Sequence, residues 1–206
     1  MTEPAGKGVP GHYFETNPSS RSQPKQVRLD LPDLSITLTT DRGVFSPDRI
    51  DTGTKHLLLD GPAPAPTGQL VDLGCGYGAI ACALATRSPR ATVWAVDVNE
   101  RAIELCWANA ARLGLSNLRP VAPAAVPADL VVDELWSNPP IRIGKRALQR
   151  LLSTWLGRLA PSGRALLVVQ KHLGSDSLQR WMEAEGWRTE RRSSRAGYRI
   201  LEVRPS

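Results

Sequence analysis

At 206 residues, with 41% hydrophobic and 22% charged, the chain has the length and make-up of one globular domain with at most a small appendage. No apolar run reaches the ~18 residues of a membrane span, and the first 20 residues carry no basic-then-apolar leader, so a cytoplasmic protein without a secretory signal is expected. Three scattered cysteines and three scattered histidines offer neither a disulfide framework nor metal-ligand spacing, while 26 basic residues, 21 of them Arg, against 20 acidic ones give a net charge of +6 that suits an anionic partner.

Residues 1–25 are rich in Gly, Pro and Ser and read as an extended arm whose apolar spot is His12-Tyr13-Phe14. Gln26–Leu31 and Leu34–Thr39 alternate apolar and polar residues about Pro32-Asp33, the pattern of a β-hairpin. Ile50–Leu59 reads as a helix capped by Asp51 or Thr52, and residues 61–68 as a stiff linker. From Gln69 strands and helices alternate: strands at 69–73, 92–97, 118–121, 130–137 and 164–170, helices at 78–87, 99–113, 146–159 and 177–185. The chain closes as a hairpin, 189–195 with 199–204, about Ala196-Gly197. This βαβα rhythm predicts an α/β domain with a mostly parallel sheet covered on both faces, an antiparallel strand added by the closing hairpin, and residues 1–60 packed on a core of 61–206.

The first strand of the series runs into Val71-Asp72-Leu73-Gly74-Cys75-Gly76-Tyr77-Gly78, and a helix follows. Glycines there let the chain turn sharply and let a ligand approach the backbone, with helix N–H groups facing the crevice. Asp97 ends the next strand, 21 positions after Gly76, where a carboxylate can accept both hydroxyl hydrogens of an adenosine ribose. Gly74, Gly76 and Ala79 also satisfy the G-x-G-x-x-A fingerprint of dinucleotide enzymes, which places an acid about 20 residues on. Asp72 separates the two readings. A carboxylate two residues before the first loop glycine would repel a pyrophosphate, whereas S-adenosylmethionine carries an ammonium and a sulfonium and no phosphate.

In a doubly wound sheet the strand after the switch point lies beside the first, which puts Asn138 of Trp136-Ser137-Asn138-Pro139-Pro140-Ile141 next to the glycine loop. The prolines fix φ and donate no hydrogen bonds. The Asn138 side-chain carbonyl and the Pro139 backbone carbonyl then form a pair of acceptors for a planar NH₂ group. With both hydrogens accepted, the nitrogen pyramidalises and turns its lone pair toward an electrophile. An ordinary Asn-Pro turn is the plain alternative.

Asp72 to Gly78, Asp97 and Asn138 to Ile141 resemble the class I S-adenosylmethionine-dependent methyltransferases that act on exocyclic or amide NH₂ groups. With Gly43-Val44-Phe45-Ser46 and Asp51-Thr52-Gly53-Thr54 added, the chain resembles the ribosomal RNA guanine-N2 methyltransferases of the methyltransferase small domain type, from about His12 to Val203. The resemblance implies a Rossmann-like fold of seven strands with a short N-terminal hairpin extension. It implies S-adenosyl-L-methionine as cofactor, bound by Phe45, Thr54, Asp72, Gly74, Cys75, Gly76, Asp97, Val98 and Asn138. Asn138, Pro139, Pro140 and Ile141 become the catalytic loop of a monomeric enzyme without a metal. Guanine N2 of small-subunit ribosomal RNA, free or in an assembling subunit, becomes the target. Relatives often place an acidic or polar residue after the third strand to meet the adenine amine; here stands Val121-Ala122-Pro123, which leaves adenine to backbone groups.

Arg142, Lys145 and Lys171 are candidates to hold phosphates beside the target, together with Arg146, His172 and the Arg-rich closing hairpin; a solvated helix start is the alternative for Arg142, Lys145 and Arg146. Trp107, Trp155 and Trp181, at helical spacing among apolar residues, are expected in the core, and Trp136 under the sheet. Tyr13 and Phe14 stand over the cofactor, on a base or in an exposed arm. Two further readings remain. One keeps the chemistry and moves it to a protein glutamine amide or adenine N6, although such enzymes more often carry an aromatic residue at the position of Ile141. The other is a non-catalytic RNA-binding relic of the fold, against which the intact Gly74, Gly76, Asp97 and Asn138 speak.

Overall fold

The structure is a computed structural model that describes residues 20–206; the expectations on Tyr13 and Phe14 lie outside the described residues. β1 (Lys25–Leu31) and β2 (Leu34–Thr40) pair antiparallel about Pro32-Asp33, with Leu31 opposite Leu34. Their alternation buries Val27, Leu29, Ile36 and Leu38 on one face, as the period of two requires. A long connection leads to α1 (Thr52–Asp60), whose N-cap is Asp51.

β3 (Thr67–Leu73), β4 (Arg90–Val96), β5 (Leu118–Val121), β6 (Val132–Ser137) and β7 (Leu159–Gln170) form the parallel part of a seven-stranded sheet. β9 (Tyr198–Arg204) joins β7 antiparallel, and β8 (Arg188–Arg195) pairs with β9. The order is β5-β4-β3-β6-β7-β9-β8. The chain steps outward from β3 to β5 and returns to the other side with β6. Strand order therefore reverses between β3 and β6, and a crevice opens at their C-terminal ends.

The helices α2 (Ala79–Arg87), α3 (Glu100–Arg112), α4 (Lys145–Leu156) and α5 (Ser175–Ala184) cross between strands. Alternate strand residues feed two cores: Leu70 joins the cluster with β1, β2, α1 and α2, and Val71 the cluster with α4 and α5. The N-terminal hairpin thus shares the apolar layer on one face of the sheet. Among the described residues no helix is long and apolar enough to cross a membrane.

Three local expectations change. The helix expected to run to residue 159 ends at Leu156, and β7 starts at Leu159, ahead of the expected 164. Pro161-Ser162-Gly163, which reads as a turn, is held inside the strand as a bulge: Val132 faces Leu159 while Glu134 faces Arg164. A Cβ at Gly163 would come within 2.9 Å of the Val132 carbonyl oxygen. Trp107 is not core: it is 48% exposed, because α3 turns Ala102, Cys106, Asn109 and Ala110 inward and Trp107 falls one residue off that stripe. Trp136 and Trp155 are buried.

Asn109 joins the hairpin to α3. Its Oδ1 accepts the Thr39 N–H at 2.7 Å, and its Nδ2 donates to the carbonyls of Thr39 at 2.8 Å and Tyr77 at 2.9 Å. The side chain is fully buried, so truncation leaves a buried N–H and two carbonyls unpaired. Asn109→Ala should lower the unfolding free energy by about 2–4 kcal/mol in urea titrations; a stability equal to wild type would show that the hairpin docks without it.

Candidate active site

The crevice is built from the ends of β3, β4 and β6. Ser137 Oγ donates to the Leu73 carbonyl at 2.7 Å, which locks the end of β6 to the end of β3 and sets Asn138 beside the glycine loop. The loop's own donors turn inward: Gly74 and Cys75 N–H go to the Val96 carbonyl, Gly76 N–H to Asp97 Oδ2 and Gly78 N–H to the Cys75 carbonyl. Gly76 has positive φ and open space where a Cβ would stand. Gly78 is required for contact, since a Cβ there would lie 2.5 Å from Cys106 Sγ. Cys75, Cys82 and Cys106 are free and buried.

Asp97 faces the crevice with each oxygen already holding one backbone N–H, from Gly76 at 2.8 Å and from Asn99 at 3.0 Å. Each oxygen keeps a lone pair, so the carboxylate can still receive two hydroxyl donors. Burial raises its pKa, opposed by the N–H groups of Asn99, Gly76 and Val98. Asn99 also caps α3 and donates from Nδ2 to the Gly43 carbonyl at 2.7 Å, which anchors the Val44-Phe45 wall.

Asn138 Nδ2 donates to Asp51 Oδ1 at 2.7 Å and to Thr54 Oγ1 at 3.1 Å. A carboxylate accepts only, so it faces the amide nitrogen and leaves the Asn138 carbonyl oxygen for the cavity. Asp51 Oδ1 also accepts the N–H groups of Gly53 and Thr54 that open α1. Beyond Asn138, Pro140 at φ −74 and ψ 72 makes an inverse γ-turn in which Ile141 N–H donates to the Pro139 carbonyl at 2.8 Å. That carbonyl keeps one lone pair.

A cavity of about 690 Å³ fills the crevice. Phe45, Gly74, Gly76, Asp97, Val98 and the segment from Asn138 to Arg142 line it. Asp72, Cys75 and Thr54 do not; Thr54 reaches the site only through Asn138. Lys145 borders a smaller neighbouring cavity, and Lys171 borders neither. Sequence reasoning missed Asp51 and Tyr198 as lining residues. In the sequence Asp51 reads as a helix cap and as part of the Asp51-Thr52-Gly53-Thr54 segment, without a role of its own in the site. Tyr198 arrives from β9, far along the chain, and leans where a Cβ on Gly53 would come within 2.7 Å of its ring. Burial and the Asp51 carboxylate raise the Tyr198 phenol pKa, against Arg49.

Asp72 is displaced from its expected role. It is fully buried beneath the loop, its Oδ2 accepting the Ala81 N–H in the first turn of α2 at 2.9 Å. Its Oδ1 has no hydrogen-bond partner among the described residues. Burial pushes the carboxyl up to about 8, opposed by the Ala81 N–H and assisted by Asp97. The group is therefore largely neutral at pH 7 and does not repel an anion by charge, contrary to expectation. It occupies a helix N–H that a phosphate would need, and the loop N–H groups of Gly74, Cys75, Gly76 and Gly78 are engaged within the protein.

The cations also divide differently. No Asp or Glu lies between Glu134 and Asp176. Of the basic residues in that stretch, Arg164 pairs with Glu134, and Arg158 stacks over Trp155. Arg142, Lys145, Arg146, Arg150 and Lys171 form no ion pair among the described residues. The closing hairpin is the reverse case: Arg192 and Arg204 hold Glu202, Arg191 and Arg199 hold Asp176, and Arg195 faces Asp60. With Arg188 beside Glu190, each of its six arginines has a carboxylate partner, six on four carboxylates. No group of His, Cys, Asp and Glu among the described residues could hold a metal ion.

The family model described as methyltransferase small domain matches residues 35–202. The uncharacterized protein YbxB of Bacillus subtilis (strain 168) is 33% identical over 169 residues, 81% of this chain and 84% of that one. Ribosomal RNA small subunit methyltransferase C of Shewanella piezotolerans is 32% identical over 152 residues, 72% of this chain but 44% of the relative, so the chain spans about half the length of such relatives. The solved T. thermophilus 16S rRNA N2 methyltransferase RsmC, in complex with AdoMet and guanosine, superposes with a TM-score of 0.78 at 22% identity, over 92% of this chain and 52% of that one. The fold is that of the Rossmann-like methyltransferases.

The buried Asp72 carries a pH dependence. Its folded pKa of about 8 lies above the ordinary carboxyl value, so its contribution to stability is complete below the unfolded pKa and is lost as pH rises toward 8. Asp72→Asn keeps the acceptor for Ala81 and cannot ionise. Wild type should lose stability relative to this variant by up to about 1.4 kcal/mol per pH unit between about pH 5 and 8. Parallel curves of melting temperature against pH for the two proteins would refute the assignment.

Proposed function

The chain belongs to the methyltransferase small domain family, and we propose that it uses S-adenosyl-L-methionine to methylate the guanine N2 amine of small-subunit ribosomal RNA. The observation that carries this reading is the Asn138 amide, held by Asp51 so that its oxygen faces a large cavity at the glycine loop. The residues present fit the cofactor. Asp97 retains acceptors for a ribose diol, and the N–H groups of Gly74, Cys75, Gly76 and Gly78, which a pyrophosphate would use, are already engaged. Val98, Pro123 and Leu151 give apolar walls for adenine. When bound, the cofactor supplies an electrophilic methyl group on a sulfonium.

The chain's part is to present the amine. The Asn138 carbonyl accepts one N–H hydrogen and the remaining lone pair of the Pro139 carbonyl accepts the other, which turns the nitrogen lone pair out of conjugation. The γ-turn at Pro140 holds the second acceptor without a mobile side chain. These contacts strengthen as the nitrogen pyramidalises, so they belong to the transition state more than to binding. No side-chain base is required, because the proton becomes acidic as nitrogen gains the methyl.

RNA as substrate is supported by Arg142 and Arg150, which line the reaction cavity without an ion-pair partner among the described residues, by Lys145 in the wall of the adjoining cavity, and by the names of the curated relatives. Guanine N2 in a duplex lies in the minor groove, so the target is an unpaired or extruded base and the flanking backbone must be gripped. Incubation with labelled S-adenosylmethionine and small ribosomal subunits from a strain lacking the protein should place the label on N2-methylguanosine. Label on another nucleoside, or on a protein glutamine, would overturn the assignment.

Two variant sets test the parts. Asn138→Ala should lower kcat by about 10²–10³-fold with cofactor affinity retained. Asp51→Ser keeps a helix cap but is too short to reach Asn138; stability should stay within about 1 kcal/mol while kcat falls about tenfold or more. Asp51→Asn, which retains the oxygen, should recover most of that loss. An Asp51→Ser enzyme with normal kcat would make Asp51 a cap only.

Salt titrations of RNA affinity separate the two groups of cations. Replacing Arg142, Arg146 and Lys171 together by Ala should reduce the slope of log K against log salt by about 2–3. The same replacement of Arg191, Arg192 and Arg195, which are engaged in ion pairs, should change it little. The opposite ranking would return the interface to the closing hairpin.

A further inference from the structure

Beside the reaction cavity lies a second one of about 250 Å³, between the first turns of α4 and α5. The two cavities share Ile141 and Leu173 as lining residues, so one wall separates them. On its far side the smaller cavity is closed by Leu148 and Leu178, both buried. Lys145, Gln149 and Ser177 also line it, and none of their three side chains has a hydrogen-bond or ion-pair partner among the described residues. Leu173 is 47% exposed although it is large and apolar.

We propose that this cavity receives the base of a nucleotide adjoining the target, so that the protein reads one neighbour of the methylated guanine. The inference rests on RNA being the substrate. Apolar walls with a few polar groups suit the flat faces and polar edge of a base. Gln149 can both donate and accept, and Ser177 likewise, which matches base edges. Lys145 lines this cavity and Arg142 the adjoining one, and both match the phosphates that such a base brings with it. Asp176, the carboxylate next to this mouth in the chain, is neutralised by Arg191 and Arg199. A single dividing wall suits consecutive nucleotides of an unstacked strand, the target on one side of Ile141 and Leu173 and its neighbour on the other. An apolar peptide side chain would fill the space equally well but would give no use to the unpaired Lys145 and Arg142.

Fluorescence anisotropy with the full chain and S-adenosylhomocysteine tests this directly. The probes are a labelled RNA pentanucleotide with one central guanosine and two versions carrying an abasic ribose immediately 5′ or immediately 3′ of it. All phosphates are kept, so the electrostatic contribution is constant. One of the abasic versions should bind roughly tenfold more weakly than the intact strand, and the other like the intact strand. Ser177→Phe and Gln149→Trp, which fill the cavity from two sides, should weaken the intact strand by a similar factor and no longer distinguish the versions. Unchanged S-adenosylhomocysteine affinity by calorimetry certifies that these variants fold. Equal binding of all three strands by wild type overturns the pocket while leaving RNA as the substrate, and so does a filled variant that still distinguishes them. Failure of all three strands to bind, with S-adenosylhomocysteine bound normally, overturns the RNA reading and this inference with it.

Discussion

Asp51 Oδ1 receives three N–H groups at once, those of Gly53 and Thr54 that begin α1 and that of the Asn138 carboxamide. The first two fix where α1 starts; the third fixes which way the reaction loop presents its amide. Both depend on how residues 25–60 pack. The hairpin is seated on α3 through Asn109 and on α2 through the Arg87–Asp33 pair, and α1 lies against β7 with Leu57 and Leu58 buried. The position of the Asn138 carbonyl is thereby a property of the N-terminal packing as well as of the β6 end. An extension that looks peripheral in the topology carries half of the site's geometry.

The glycine loop shows how one fold distinguishes a nucleoside cofactor from a dinucleotide. In both cases the glycines let the backbone turn at the crevice. The difference lies in where the N–H groups point. Here the Val96 carbonyl, the Asp97 carboxylate and the Cys75 carbonyl take the loop donors, and Asp72 takes an N–H of the first turn of α2. A phosphate approaching this loop would find carbonyl and carboxylate oxygens with their donors already engaged. The exclusion is one of satisfied hydrogen bonds, and it holds whether or not Asp72 is ionised.

Much of this was legible in the chain. Period-two alternation placed β1 and β2, and the glycine and Asn-Pro-Pro segments fell at strand ends because the βα rhythm puts them there. What was not legible depends on distance along the chain. Asp72 looks like a crevice acid because strand alternation does not say which side of the loop its carboxylate takes. Pro161-Ser162-Gly163 has the residues of a turn, yet pairing with β6 holds it in a strand. Trp107 sits at helical spacing from other apolar residues, but one position off the stripe that faces the sheet. Asp51 and Asn138 are 87 residues apart, and no local pattern joins a helix cap to a strand end.

Net charge by segment was the least reliable guide, for a physical reason. A run of arginines on an edge strand has acids within reach on the neighbouring strand and helix, and β8 meets them in Glu202 and Asp176. Such pairs are exposed and weak individually, but they cancel the field a polyanion would feel. Along the chain no acid stands between Glu134 and Asp176, and the carboxylates at the reaction cavity, Asp51 and Asp97, hold the Asn138 amide and backbone N–H groups and pair with none of the cations that follow the reaction loop. Fewer cations left unpaired around a concave, largely apolar site give a stronger local field than more of them paired on a flat edge, since low-dielectric walls focus what remains. The lack of ion-pair partners for the cations that follow the Asn-Pro-Pro loop therefore says more about where an anionic partner approaches than the abundance of arginine at the end of the chain.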